Sequence, residues 1–87
     1  MPRNDQLKEP QQSSKVASAF IEKKRREKGL SQKQIAQAIG GKTTQSYVSN
    51  RLNCLTSWSM DDLDKIAELF GYKDAIDMMV AARTEGE

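Results

Sequence analysis

The sequence contains no histidine, one cysteine and no long apolar run, and each absence excludes a class of protein. A chain with no histidine and one thiol lacks the ligands of a zinc site and the commonest general base of enzymes. The single cysteine, Cys54, forms no internal cross-link, which indicates a reducing compartment. No segment approaches the ~20 consecutive apolar residues of a membrane-spanning helix, and no apolar signal segment follows Met1. We therefore expect a cytoplasmic protein with no catalytic residue, metal site, cofactor or small-molecule ligand.

Charge is distributed unevenly along the 87 residues. The whole chain has a net charge of +2, but residues 1–58 hold 11 Lys/Arg against 4 Asp/Glu. Residues 59–87 hold 3 Lys/Arg against 8 Asp/Glu. A basic first part indicates a surface that faces a polyanion, and an acidic second part indicates a solvated or partner-facing end.

Apolar residues recur with helical spacing, and no segment shows the alternation typical of a strand. Residues 1–12 have no apolar period and are interpreted as a flexible arm, residues 13–84 as one domain, and residues 85–87 as a frayed tail. The predicted fold class is all-α, with five short helices. They run from Ser14 to Lys28, from Ser31 to Ile39, from Thr44 to Asn53, from a Ser59 cap to a Gly71 stop, and from Asp74 to Arg83.

Two helix starts are well signalled by capping residues. Ser31 and Gln34 have the spacing of a capping box, and Ser59 and Asp62 repeat it. Trp58 precedes the second cap, which favours packing as a hydrophobic staple over stacking on a base. Both starts therefore predict helices whose first turns are fixed locally.

Residues from about 31 to 53 form two short helices joined by a glycine-containing turn, which is the helix-turn-helix arrangement. On the second of these helices, Val48 and Leu52 share one face, and Ser46, Asn50 and Asn53 share the opposite face. Short polar side chains suit the donors and acceptors of base edges in the major groove. The pattern therefore predicts a helix that reads DNA.

The sequence resembles the phage-repressor and Cro-like helix-turn-helix regulators (the XRE family), and most of all the amino-terminal DNA-binding domain of lambda repressor. The resemblance covers roughly residues 14–72. It implies a lambda-repressor-like fold and a transcriptional regulator, most often a repressor, that binds double-stranded DNA in the nucleoid. The residues that carry it are Glu22-Lys23-Lys24, Gly29-Leu30-Ser31-Gln32, Ala36, Gly40, Gln45-Ser46, Val48, Asn53, Leu63 and Lys65-Ile66-Ala67.

The candidate DNA contacts fall into two groups. In the resemblance, Gln45 corresponds to a reader of adenine and Gln32 to a glutamine that contacts phosphate and braces it. The hydroxyl and amide residues of the third helix are expected to read bases, while cations and flanking polar residues are expected to contact the backbone. The base-reading group is Gln45, Ser46, Ser49 and Asn50. The backbone group is Gln32, Lys24, Arg25, Lys42, Thr44, Arg51, Asn53 and Thr56.

The last helix indicates a second copy of the chain as a partner. Met78 and Met79 are adjacent and cannot both face one core, so apolar surface is left over. We expect a homodimer, at least on a palindromic operator, through Ile76, Met79 and Val80.

Two other functions stay open at this point. In an antitoxin-type module, the acidic 59–87 segment would bind a basic toxin. In an activator, the acidic fourth or fifth helix would contact polymerase. The sequence also leaves open whether the chain is a short regulator or a fragment of a longer repressor.

Overall fold

Five α-helices make up the part of the chain that the computed structural model describes, residues 12–85, and no strand occurs within it. This arrangement confirms the all-α fold class. The helices are α1 (Gln12–Lys28), α2 (Gln32–Ile39), α3 (Gln45–Leu52), α4 (Met60–Phe70) and α5 (Ala75–Glu85).

The observed helix ends differ from the predicted ones by a few residues. Gln12, which was assigned to the arm, lies in α1, and Glu85, which was assigned to the tail, lies in α5. Thr44 and Asn53 are the caps of α3 and not part of it. The rest of the predicted arm and tail, residues 1–11 and 86–87, lies outside the described residues.

The two predicted capping boxes have different outcomes. At α2, Ser31 Oγ accepts from the Gln34 N–H (3.0 Å), and Gln34 Oε1 accepts from the Ser31 N–H (2.7 Å), so this box is confirmed. At α4, Ser59 Oγ accepts from the Asp62 N–H (3.1 Å), but the Asp62 carboxylate accepts from the Tyr47 hydroxyl. The second half of that box was therefore wrong. Aspartate is shorter than the Glu or Gln that closes such a box, and its carboxylate turns to α3 instead.

Three helices end in a residue with left-handed backbone. Gly29 (φ +69°) follows α1 and Gly71 (φ +92°) follows α4, as predicted from the sequence. After α3 the same position is held by Cys54 (φ +61°), and the Leu55 N–H bonds to the Asn50 carbonyl (2.8 Å). This conformation costs a non-glycine residue roughly 1–2 kcal/mol, so the turn after α3 is held in place by its surroundings.

The buried core lies behind the helix-turn-helix pair. α2 packs on α3 and α4, α1 packs on α3 and α5, and α4 packs on α5. The helices therefore surround one apolar cluster, and α3 is backed by both α1 and α2. The buried apolar residues are Ala17, Phe20, Ile21, Ile35, Ala36, Ile39, Val48, Trp58, Leu63, Ile66, Ala67, Phe70, Ala75, Met78 and Ala82.

The hydroxyl of Ser18 connects α1 to α3 and to the loop that follows α3. Ser18 is only 2% exposed, and its Oγ accepts from Trp58 Nε1 (2.9 Å) and donates to the Arg51 carbonyl (2.7 Å). The Trp58 N–H in turn donates to Ser14 Oγ (3.2 Å). Trp58 is therefore a buried structural residue, in agreement with its interpretation as a staple.

We expect Ser18→Ala to destabilise the fold because it leaves the buried indole N–H of Trp58 without its acceptor. It also removes one donor from the Arg51 carbonyl, which keeps its bond from the Cys54 N–H (3.1 Å). The free energy of unfolding should fall by about 1–3 kcal/mol, measured by urea denaturation followed through Trp58 fluorescence. Ser57→Ala, at an exposed serine beside Trp58, is the matched control. An equal loss of stability in the two variants would contradict this role for Ser18.

Candidate nucleic-acid interface

The outward face of α3 carries polar side chains, and its inward face is anchored in the core. Val48 is fully buried and Leu52 is half-buried. Gln45, Ser46 and Asn50 are exposed, and their side chains form no hydrogen bond with any other residue in the range 12–85. The helix therefore displays two amides and a hydroxyl whose hydrogen-bonding groups are available to a ligand.

Predicted contact residues at the two ends of α3 stabilise the helix itself. Thr44 Oγ1 accepts from the Tyr47 N–H (3.2 Å), so Thr44 caps the start of α3. At the other end, Asn53 Nδ2 donates to the half-buried Ser49 Oγ (3.3 Å). These bonds fix the first and last turns of a helix that is only eight residues long.

Three predicted contacts lie on segments next to α3. Gln32 is the first residue of α2 and is half-buried. Lys42 is exposed in the turn between α2 and α3, and Thr56 is half-buried in the loop that follows α3. All three are thus close in sequence to an end of α2 or α3.

Arg25, predicted as a phosphate contact, is engaged inside the chain. Its Nε and Nη2 donate to the two carboxylate oxygens of Glu22 (2.8 and 2.7 Å), and its Nη1 donates to the Leu30 carbonyl (2.9 Å). Arg26 Nε also donates to Glu22 (2.7 Å). Arg25 therefore holds the turn between α1 and α2. The separation of three residues between Glu22 and Arg25 is a helical pairing distance that could have indicated this role.

Lys24, also predicted near DNA, faces α5 in the structure. Its Nζ lies 5.5 Å from the centre of the Phe20 ring, 3.5 Å from Glu85 Oε1 and 3.6 Å from Glu27 Oε1. Although partial burial opposes the shift, the carboxylate of Glu85 and that of Glu27 raise the pKa of Lys24. Lys24 follows the core residue Phe20 by four positions, so the two share a helix face, and that face packs on α5.

Arg51 lies flat against a neighbouring aromatic ring. Its Cζ is 3.4 Å from the centre of the Tyr47 ring, and its Nη1 donates to the Tyr47 carbonyl (3.1 Å). The Tyr47 hydroxyl donates to Asp62 Oδ2 on α4, and this hydrogen bond raises the pKa of Tyr47. The sequence indicated Arg51 but missed Tyr47 and Asp62, because their contact joins residues 15 positions apart.

Comparison with models of known protein families identifies the domain. A helix-turn-helix model matches residues 21–75, which is more than half of the chain and includes α2, α3 and α4. The chain belongs to the XRE family of helix-turn-helix proteins. No curated protein and no solved structure gave a match in the other two comparisons.

Membership of the XRE family confirms the family resemblance and fixes the general function. This is a family of DNA-binding transcription regulators and not of enzymes, so the chain carries a domain for double-stranded DNA. The particular likeness to lambda repressor stays a prediction. Within residues 12–85, no helix combines the length and the apolar character needed to cross a membrane.

The XRE domain also carries an exposed apolar surface away from α3. Ile76 is 68% exposed, Val80 62% and Met60 57%, while Met79 is half-buried. These four residues line one shallow depression, which we call the α5 patch. Met78 is fully buried and Met79 packs against the edge of the same core, so the expectation that the two cannot both face one core was wrong. Met60 was not among the residues expected at this surface because it lies on α4, 16 residues before Ile76.

Glu22→Gln tests the clamp between α1 and α2 through its pH dependence. The hydrogen bond from Arg25, with a further one from Arg26, lowers the pKa of Glu22 from 4.5 to about 2. A carboxyl group whose pKa is lowered by folding stabilises the fold at any pH above its pKa in the unfolded chain. This stabilisation is lost as the pH falls through its pKa in the folded chain. The parent should therefore be more stable than the variant at pH 7, and this difference should shrink between pH 5 and pH 2 in thermal unfolding.

The control for this experiment is Glu27→Gln on the same helix. Glu27 is exposed and forms a longer ion pair with Lys24 (3.6 Å). Its substitution should change stability little at any pH in this range. The same pH dependence in both variants would contradict the role assigned to Glu22.

Proposed function

We propose that this XRE-family protein is a sequence-specific repressor that reads operator DNA with α3 in the major groove. The observation that carries the proposal is the outward face of α3, where Gln45, Ser46 and Asn50 are exposed and their side chains form no hydrogen bond within residues 12–85. Behind them, Val48 is fully buried and fixes which way the face points. A rigid helix with such a face suits direct readout of base edges.

Each side chain of that face has a definite partner in this proposal. The amides of Gln45 and Asn50 pair with the N6 and N7 edge of adenine, and the Ser46 hydroxyl bonds to a neighbouring base. Ser49, half-buried beside them, contacts the groove at the edge of the helix. Backbone contacts position the domain without reading sequence. They come from Gln32, Lys42, Thr44, Arg51, Asn53 and Thr56.

Repression requires two copies in this proposal. The α5 patch supplies apolar surface for a second copy, and a two-fold dimer would bind a palindromic operator. Half-sites would lie about one helical turn apart, ~34 Å. An operator that overlaps a promoter would then exclude polymerase.

Selection from random duplexes with the purified chain tests the reading of DNA and defines the operator. On the selected operator, Gln45→Ala should cost about 1–3 kcal/mol in binding free energy and relax the preference at one base pair. Gln37→Ala, at an exposed amide of α2, is the matched control and should bind as the parent does. If the parent prefers no duplex over scrambled competitor, the proposal is wrong.

Sedimentation equilibrium without DNA tests the dimer. The parent should associate, and Val80→Asp should be monomeric because it places a charge in apolar surface that the second copy would bury. Leu55→Asp is the control, since Leu55 is 68% exposed but lies outside the patch. A parent that stays monomeric at the highest attainable concentration contradicts the proposed interface.

An antitoxin-type function is the second candidate, and one observation favours it. Exposed carboxylates occur along α4 and α5, at Asp61, Glu68 and Asp77, and they would suit a basic protein partner. The two functions use different faces of the domain. Substitution of Ser46 and Asn50 would abolish operator binding in both cases but would leave neutralisation of a toxin intact.

A further inference from the structure

We propose that Tyr47 and Asp62 are positioning residues that hold Arg51 as a preset contact for the DNA phosphate backbone. The inference rests on the proposed reading of DNA by α3. It assigns a function to two residues that do not face the bases themselves. Three observations support it: the bond from Tyr47 to α4, the stacking of Arg51 on Tyr47, and the place of both residues on α3.

The bond between Tyr47 and Asp62 ties α3 to α4. The packing of α3 is chiefly on α2 and α1, so this hydrogen bond restrains the helix from a third direction. Asp62 is a firm anchor because it is buried in the first turn of α4, where its N–H donates to Ser59 Oγ. Rotation of α3 about its own axis would break the Tyr47–Asp62 bond.

The guanidinium of Arg51 is fixed by the Tyr47 ring. It stacks at 3.4 Å from the ring centre, and Nη1 bonds to the Tyr47 carbonyl. Its Nε is buried and has no acceptor anywhere in residues 12–85. A phenol that donates to a carboxylate gains electron density on its ring, which strengthens the attraction of a stacked cation. The remaining donor, Nη2, has no acceptor within the described chain and is available to a ligand.

Tyr47 and Arg51 are one turn apart, on the flank of α3 between the exposed face and the core. When a helix lies in the major groove, its centre faces base edges and its flanks approach the phosphates. An arginine already held in one orientation loses little side-chain entropy when it binds phosphate. The arrangement of Asp62, Tyr47 and Arg51 thus suits an anionic oxygen of the DNA backbone.

A double-mutant cycle on the selected operator tests the inference, using the salt dependence of affinity as the readout. Arg51→Ala should reduce the slope of log affinity against log salt by about 1, which is the change expected for the loss of one phosphate contact. Tyr47→Phe keeps the ring but loses the bond to Asp62, so it should weaken binding about three- to tenfold and make the slope shallower. In the Arg51→Ala background, Tyr47→Phe should have no further effect on either quantity.

The control is Tyr72→Phe, which removes a phenol hydroxyl from a ring that packs on Phe20 of α1 and belongs to the segment after α4. If Tyr47→Phe behaves as Tyr72→Phe does, or if it weakens binding equally with and without Arg51, the inference is wrong while the proposed function stands. If the parent itself selects no operator, both fail. Should Tyr47→Phe not fold, Asp62→Asn replaces it in the same cycle, with a smaller loss expected because the amide oxygen still accepts from the phenol.

Discussion

The Ser18 hydroxyl occupies the point at which α1, the end of α3 and the returning loop meet, and the orientation of α3 depends on it. The buried indole N–H of Trp58 needs an acceptor, since an unpaired buried polar group is costly. The Ser18 hydroxyl is that acceptor, and it also donates to the Arg51 carbonyl at the end of α3. The last turn of α3 is thereby fixed to the longest helix of the domain. This restraint acts together with the buried Val48 to set the direction of the polar face of α3.

An eight-residue helix is too short to be stable by itself in water, so contacts with the rest of the domain stabilise α3. Thr44 caps its start, Val48 anchors its middle in the core, and a left-handed Cys54 closes its end. The Tyr47 bond to Asp62 adds a restraint from α4. Each of these residues lies beside or beneath the exposed row, and none of them is in it. The residues that stabilise α3 are therefore different from the residues that it exposes to a ligand.

Some of the charges that make the first part of the sequence basic and the second part acidic are paired inside the folded chain. Several cations of the basic first part are engaged internally: Arg25 with Glu22, and Lys24 with Glu85. Some of the acidity of the second part is also structural, because Asp64 Oδ1 accepts from the Ala75 N–H (2.8 Å) at the start of α5. The Lys24–Glu85 pair joins a cation of the first part to a carboxylate of the second, whereas the Arg25–Glu22 pair leaves the net charge of the first part unchanged. In the proposed function, exposed cations supply the general attraction to phosphate, and the oriented groups of α3 supply the preference for sequence.

What the sequence determined by itself was local. Helix type, the capping box of Ser31, the glycine stops and the inward position of Val48 all follow from spacings of up to four residues, where backbone geometry fixes which side chains meet. The tertiary structure decided the rest. The partner of Ser18 is 40 residues away and that of Tyr47 is 15 residues away, and such pairs meet only when helices pack. Packing also turned Lys24 toward α5, since a helix face takes its role from whatever element covers it.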